Sequence, residues 1–268
     1  MRKTIGCIGC GNMGFALMSG FASRLSKDEY HLCVYSRTPG KMQPLESMGV
    51  EIMRGVAETA ENSDILIFAV KPSQMPGVLQ DAQPKMAEGK AGVSIAAGFP
   101  LARLRSMLGD ECFIARCMPT TTAMVGKGVF AFCVDPVVLS QDLEKEIIQI
   151  FTSLGMCVPL PESRFTDFSA LVGAGPAYIF ALMHGLLQAG VTLGFSREEG
   201  AKMLSQLLAG CGELAVMKGK SFIQLRDEVC SPGGLTIAGV NVLDRAGLTG
   251  LLVEAVRKAE ERGREMES

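Results

Sequence analysis

The chain contains no tryptophan, only three tyrosines and only two histidines in 268 residues. His31 and His184 are the whole supply of imidazole, and Cys7-Ile-Gly-Cys10 has no second cysteine pair to complete a ligand set, so no metal centre is expected. Excess positive charge is missing too. Lys and Arg total 26 against 28 acids, which leaves no basic surface for nucleic acid or anionic lipid and excludes nucleic-acid partners. The opening residues do not have the shape of a secretory leader, and the nine cysteines are an odd number lying mostly in apolar runs. That pattern reads as unpaired, buried thiols in a reducing cytoplasm. Cys7 and Cys10 straddle a strand end and a turn, so they read as packing residues, not a redox pair.

What is present begins at Ile5-Gly6-Cys7-Ile8-Gly9-Cys10-Gly11-Asn12-Met13-Gly14. Apolar residues lead into Gly9 as a strand does, and a helix-length stretch runs from Met13 to Arg24. Strand, tight turn and helix form the context in which G-x-G-x-x-G binds a dinucleotide. Gly9 permits the turn, Gly11 admits a pyrophosphate close to the backbone, and Gly14 lets helix and strand touch. The free N-H groups at the helix start then face the phosphates. The cofactor contacts expected here are Gly9, Cys10, Gly11, Asn12, Met13 and Gly14.

The next informative absence is an acid. A second strand, His31 to Tyr35, ends in Ser36-Arg37-Thr38, about 20 residues past the glycine turn, where an NAD site places Asp or Glu for the ribose hydroxyls. Two hydroxyls and a guanidinium fork stand there instead, which suits a 2′-phosphate. NADP(H) is the expected cofactor, with NAD(H) the weaker alternative. Thr38-Pro39 reads as the cap of a helix to about Met48. Strand and helix then alternate, with strands at 50–53, 65–70, 92–97, 113–118, 129–134 and 157–160, which predicts a doubly wound, mostly parallel α/β sheet of the Rossmann type. Ligands bind beyond the carboxyl ends of such strands, so the loops Val70-Lys71-Pro72, Ala96-Ala97-Gly98 and Met118-Pro119-Thr120 are the further cofactor candidates.

Strand signals stop after Pro159-Leu-Pro161. Helix-length segments follow at 163–171, 176–193, 197–218, 221–229, 235–245 and 250–265. Ser196-Arg-Glu-Glu199 is a capping box, and Thr249 a candidate cap for the last helix. The expected domains are 1–160, a dinucleotide-binding domain, and 161–268, an all-helical one. Phe168 to Phe195 carries no Asp, Glu, Lys or Arg. Its internal glycines and Pro176, without basic clusters at either end, argue against a membrane span. A helix apolar all round must be buried, and a small helical domain has room for it against a second copy, so an obligate homodimer, or a higher homo-oligomer built on that dimer, is expected. His184 and Gln188, one turn apart, read as a polar pair within that interface or as a polar site.

One loop remains. Ser231-Pro232-Gly233-Gly234-Leu235-Thr236 cannot continue a helix, yet helical segments flank it, so it is a helix-loop-helix turn that exposes backbone N-H groups. Such a nest suits a small carboxylate, with the Thr236 hydroxyl beside it. A plain linker with a capping threonine is the alternative. Together with Gly9 to Gly14, Ala69-Val-Lys-Pro72, Arg116-Cys-Met-Pro119 and Gly173-Ala-Gly-Pro-Ala-Tyr178, this loop resembles the pyrroline-5-carboxylate reductase family over essentially the whole chain. The resemblance implies a Rossmann domain followed by a helical dimerisation domain, and NADPH-dependent reduction of a cyclic imine, 1-pyrroline-5-carboxylate, to proline. It implies a site shared between the cofactor cleft of one subunit and the helical loop of its partner. Ser231, Gly233, Gly234, Leu235 and Thr236 would contact the small-molecule substrate, and Thr236 would serve the ring nitrogen. The family's Met-Pro-Asn is here Met118-Pro119-Thr120, and relatives more often carry acids at the positions of His184 and Gln188. Those departures keep open a paralogue for another imino or carbonyl acid, or a cofactor-binding relative without turnover.

Overall fold

A computed structural model describes residues 2–137 and 140–267. Among them the strands are β1 Lys3–Ile8, β2 Tyr30–Tyr35, β3 Glu51–Ile52, β4 Ile65–Phe68, β5 Ala91–Ser94, β6 Phe113–Met118, β7 Gly128–Val134 and β8 Gly155–Pro159. The α-helices are α1 Asn12–Arg24, α2 Gln43–Glu46, α3 Val56–Glu61, α4 Met75–Ala82, α5 Leu101–Leu108, α6 Gln141–Thr152, α7 Phe165–Phe168, α8 Gly175–Thr192, α9 Arg197–Lys218, α10 Phe222–Glu228, α11 Leu235–Arg245 and α12 Leu248–Glu267. By packing, the chain separates into two compact units, residues 1–174 with 260–268, and residues 175–259.

The first unit is built on one sheet in the order β3-β2-β1-β4-β5-β6-β7-β8. The pairings from β3 through to β6 are parallel, β7 runs antiparallel to β6, and β8 parallels β7. β4 shows why an unbroken apolar run makes a central strand. Ile65 and Ile67 face one core with Val34, Leu17 and Phe21, while Leu66 and Phe68 face the other with Leu79 and Leu104. Successive side chains point to opposite faces, so a strand covered by helices on both needs apolar residues at every position. Phe151 of α6 meets the rings of Phe21 and Phe130 edge-on, with centroids 5.6 and 5.5 Å apart. Each such pair adds about 0.5–1.5 kcal/mol beyond burial. Residues 162–174 belong to this unit by packing, although the sequence changes character near 160. Phe165 and Phe168 explain it: they are buried in one cluster with Met118 and Ala131.

Two local readings change. The helix expected from Pro39 to Met48 is broken into a 3₁₀ turn, Pro39–Lys41, and α2. Pro44 brings a second proline that has no N-H to continue the ladder. Thr249 is not a cap, because α12 already starts at Leu248.

The second unit is wholly helical. Ser196 and Glu199 form the expected capping box, and Ser221 with Gln224 forms a second one. Gly200 lets α8 and α9 approach, since a Cβ there would press on Leu187. Yet of residues 175–259 Gly200 alone is buried, and Val216 and Leu235 are 86% and 92% exposed. By length and composition, Glu162–Thr192 is long and apolar enough to cross a membrane.

Candidate functional site

In the first unit a cleft of about 620 Å³ opens at the carboxyl ends of β1, β2 and β4. β1 has β2 on one side and β4 on the other, so successive connections leave in opposite directions and a crevice opens between them. Gly9, Cys10 and Gly11 line it, with Ser36, Arg37 and Thr38 from the end of β2 and Val70 and Lys71 from the end of β4. Gly9 sits at φ +108°, and a Cβ there would collide with the Ala69 carbonyl. A Cβ on Gly14 would enter the Gly9 carbonyl, whereas one on Gly11 would meet nothing within 4 Å. Gly9 and Gly14 thus close the turn against its neighbours, and Gly11 faces open space. Asn12, Met13 and Gly14 form the first turn of α1, which has no side-chain cap and no acid. Its positive end is therefore available to an anion. These features fit a pyrophosphate.

At the end of β2, Ser36 is half-buried while Arg37 and Thr38 are exposed. Thr38 precedes the 3₁₀ turn, yet its hydroxyl makes no capping bond and stays free for a ligand. Lys41 also lines the cleft. Sequence reasoning passed over it because a lysine on a turn is usually just solvated. The Cys10 thiol donates to the Lys41 carbonyl at 3.2 Å, joining the glycine turn to this segment. Burial pushes the Cys10 thiol up, and the Lys41 ammonium acts against that. On the far wall Ser73, Gln74, Gly77, Val78 and Asp81 join Lys71. They too were missed: Ser73 and Gln74 lie in the 3₁₀ turn after β4 and Gly77, Val78 and Asp81 on α4, and no local motif marks them.

The remaining candidates of this unit lie elsewhere on the sheet's carboxyl edge. Pro72 opens a 3₁₀ turn after β4, Ala97 and Gly98 follow β5, and Met118, Pro119 and Thr120 close or follow β6. None of these is in the wall of the cleft. Thr120 is 3% exposed. Its hydroxyl accepts from the Val129 N-H at 2.9 Å and shares a hydrogen bond with Thr122 at 2.8 Å, so it fastens the start of β7.

In the second unit Ser231–Gly234 makes the expected turn between α10 and α11. Gly233 is left-handed at φ +67°. The Gly234 N-H donates to the Ser231 carbonyl at 3.0 Å, and a Cβ on Gly234 would overlap Ser231. Gly234 caps α11 without a side chain, and the first turn holds no acid. This helix start is likewise open to an anion, with Leu235 exposed and Thr236 half-buried beside it. Ion pairs flank the turn, one across it to α11 and two from α10 back to the end of α9. Arg226 reaches Asp244 at 3.6 Å, and Glu228 accepts from Lys218 at 2.6 Å and from Lys220. Gln188 contacts His184 at 3.2 Å and accepts from Arg197 at 3.4 Å, so these two side chains of α8 satisfy one another. His31 pairs with Glu51 at 2.7 Å between β2 and β3, away from both places.

Comparison with known proteins covers both units. Residues 162–266 match the family model described as pyrroline-5-carboxylate reductase dimerisation, and residues 4–98 match that of NADP oxidoreductase coenzyme F420-dependent. The pyrroline-5-carboxylate reductase of Pisum sativum is 32% identical, over 98% of this chain and 96% of the relative. That of Escherichia coli K12 is 32% identical over 99% of both. Among solved structures, the pyrroline carboxylate reductase of Plasmodium falciparum with NADP bound superimposes with a TM-score of 0.87 at 30% identity, covering 99% of this chain and 98% of that one. The Coxiella burnetii enzyme gives 0.90 at 28% identity over the full length of both. With matches of this identity covering nearly the whole chain, the chain belongs to the pyrroline-5-carboxylate reductase family.

Proposed function

We propose that this protein reduces 1-pyrroline-5-carboxylate to L-proline at the expense of NADPH, as a homodimer in a reducing cytoplasm. The observation that carries the substrate assignment is the Ser231–Thr236 turn. Its left-handed Gly233, side-chain-free cap at Gly234 and acid-free helix start offer N-H groups to one small carboxylate. Ser231, Gly233, Gly234 and Leu235 hold that carboxylate, and the Thr236 hydroxyl, one residue into α11, donates to the ring nitrogen.

When bound, the nicotinamide supplies the hydride. Gly9 to Gly14 with the start of α1 hold its pyrophosphate, Ser36, Arg37 and Thr38 its adenosine phosphate, and Val70, Lys71 and Pro72 follow along the cleft. Ala97, Gly98, Met118, Pro119 and Thr120 shape the far end of the same sheet edge. The imine carbon accepts hydride only as far as its nitrogen is protonated or hydrogen-bonded. Thr236 holds that bond but is too weak an acid to be the net proton source, so the proton arrives with the substrate or from water. The residues' main contribution is to fix the reacting carbon in place.

Homodimerisation is supported by residues 175–192, the part of the apolar run Glu162–Thr192 in the second unit, which lie within residues matched to a dimerisation family and have almost nothing of that unit over them. A paralogue acting on another small imino acid is the second reading, favoured by Thr120, whose hydroxyl is engaged with β7 where the family has an amide.

Purified protein mixed with the cyclic imine and NADPH should oxidise the nicotinamide and form proline. Absence of oxidation with either NADPH or NADH refutes the assignment. Thr236→Ala should lower kcat/KM by about 10- to 100-fold, the range for losing one donor at a developing charge, with NADPH binding unchanged. An unaltered kcat/KM removes the role given to that hydroxyl.

A further inference from the structure

Helix α5 begins without a cap of its own. Its N-cap residue is Pro100, which has no side-chain acceptor, and its first turn holds no acid, so the N-H groups at its start need an acceptor from elsewhere. Glu162 supplies one: the Leu101 N-H donates to its Oε1 at 2.7 Å. The same oxygen accepts from Arg116 Nη1 at 2.6 Å. Glu162 opens the 3₁₀ turn Glu162–Arg164 after β8, and its one carboxylate oxygen thereby joins the start of α5 to β6.

The guanidinium in this junction is dry. Arg116 is 3% exposed, and its Nη2 has no acceptor among the described residues. Its guanidinium carbon lies 4.8 Å from the centroid of the Phe165 ring, and Phe165 shares a buried cluster with Phe168 and Met118. A buried charge is tolerated only when paired, and Glu162 is the carboxylate that pairs with it. The two connections that meet at Glu162 are the one carrying Ala97 and Gly98, which leads into Leu101, and the one carrying Met118, Pro119 and Thr120, which follows Arg116. Gly9 to Gly14, Ser36 to Thr38 and Lys71 belong to other connections of the sheet.

We propose that Glu162 is a positioning residue for hydride transfer: through Leu101 and Arg116 it fixes the two loops at the nicotinamide end of the sheet edge and leaves the adenosine end untouched. This role rests on the reading of the protein as an NADPH-dependent imine reductase. Glu162 acts through its neighbours, and a displacement of about 1 Å at the reacting carbons costs about 100-fold in rate.

Two variants test it. Glu162→Ala removes both hydrogen bonds, while Glu162→Gln keeps an oxygen for both donors and loses the charge. For each protein, folded sites are counted by calorimetric titration with 2′,5′-ADP, which has no nicotinamide, and hydride transfer is followed in a single turnover of NADPH with the cyclic imine. Per folded site, Glu162→Ala should slow transfer about 10- to 100-fold. Glu162→Gln, a neutral acceptor of roughly half the strength, should slow it about 3- to 10-fold. The affinity for 2′,5′-ADP should stay within about twofold in both. Glu162→Ala leaves a buried guanidinium unpaired; should it fail to fold, Glu162→Gln decides the matter by itself. If transfer per folded site stays within about twofold of wild type, or if 2′,5′-ADP affinity falls together with the rate, Glu162 only supports the fold and the positioning role is overturned, with the functional reading intact. If the wild type transfers no hydride to the imine, the functional reading falls and the role of Glu162 with it.

Discussion

Gly9, Gly11 and Gly14 are glycines for different physical reasons, and a methyl group added at each separates them. At Gly14 a Cβ would enter the Gly9 carbonyl, whereas at Gly11 it would project into open space. Gly14→Ala should therefore destabilise the protein by about 1–3 kcal/mol, the cost of overpacking, read as a lowered denaturation midpoint. Gly11→Ala should change stability by no more than about 0.5 kcal/mol yet weaken NADPH binding about tenfold or more, because its methyl stands where the pyrophosphate comes close. Binding that survives Gly11→Ala unchanged would remove the phosphates from this turn. Arg37 was legible from sequence because its distance from the glycine turn is set by the strand-helix-strand unit between them. Lys41 was not, since only the fold shows which turn lysine faces a cleft. Thr120 was read as a cofactor contact because of where it falls after β6, and the structure shows its hydroxyl holding Val129.

At the scale of elements the alternation of strand and helix was open to reading, as were α9 with its capping box and the break at Ser231–Gly234. Where prolines lie close together, as with Pro39 and Pro44, the cap signal at Thr38-Pro39 overestimated a helix. The ion pairs around the Ser231–Gly234 turn were not legible, because Lys218, Lys220, Glu228 and Asp244 read simply as surface charge. Hydrogen bonds from Lys218 and Lys220 bring the Glu228 carboxyl down to about 2 from 4.5. A carboxyl whose folded value is depressed contributes its stabilisation above the unfolded value and loses it as the pH falls toward the folded one. Glu228→Gln should accordingly raise the melting difference from wild type most at neutral pH, and that difference should shrink between pH 4.5 and about 2. Melting curves of both proteins across that range check it; a difference that is constant with pH would show that the pairs do not stabilise the junction of α9 and α10. The effect is expected to be small and reduced by salt, as for other exposed pairs.

For the whole molecule the telling contrast is between a first unit with two cores flanking its sheet and a second unit in which Gly200 alone is buried. Helices this apolar are stable in water only when something covers them, and in the proposed homodimer that cover is a second copy. Sedimentation should give twice the 28.5 kDa chain mass. The melting temperature should climb as protein concentration rises, by about 2–4 °C for each kcal/mol that association adds. A 28.5 kDa species at every concentration, with a constant melting temperature, would refute the pairing. By itself the sequence determined the order of strands and helices, the glycine turn and the turn at Ser231–Gly234, because these follow from backbone freedom, side-chain period and missing N-H groups within a few residues of each other. Only the tertiary structure decided that residues 162–174 pack with the sheet, that Lys41 and Asp81 enter the cleft and that Thr120 is tied to β7. Burial and charge pairing depend on which distant parts of the chain meet, and no local pattern records that.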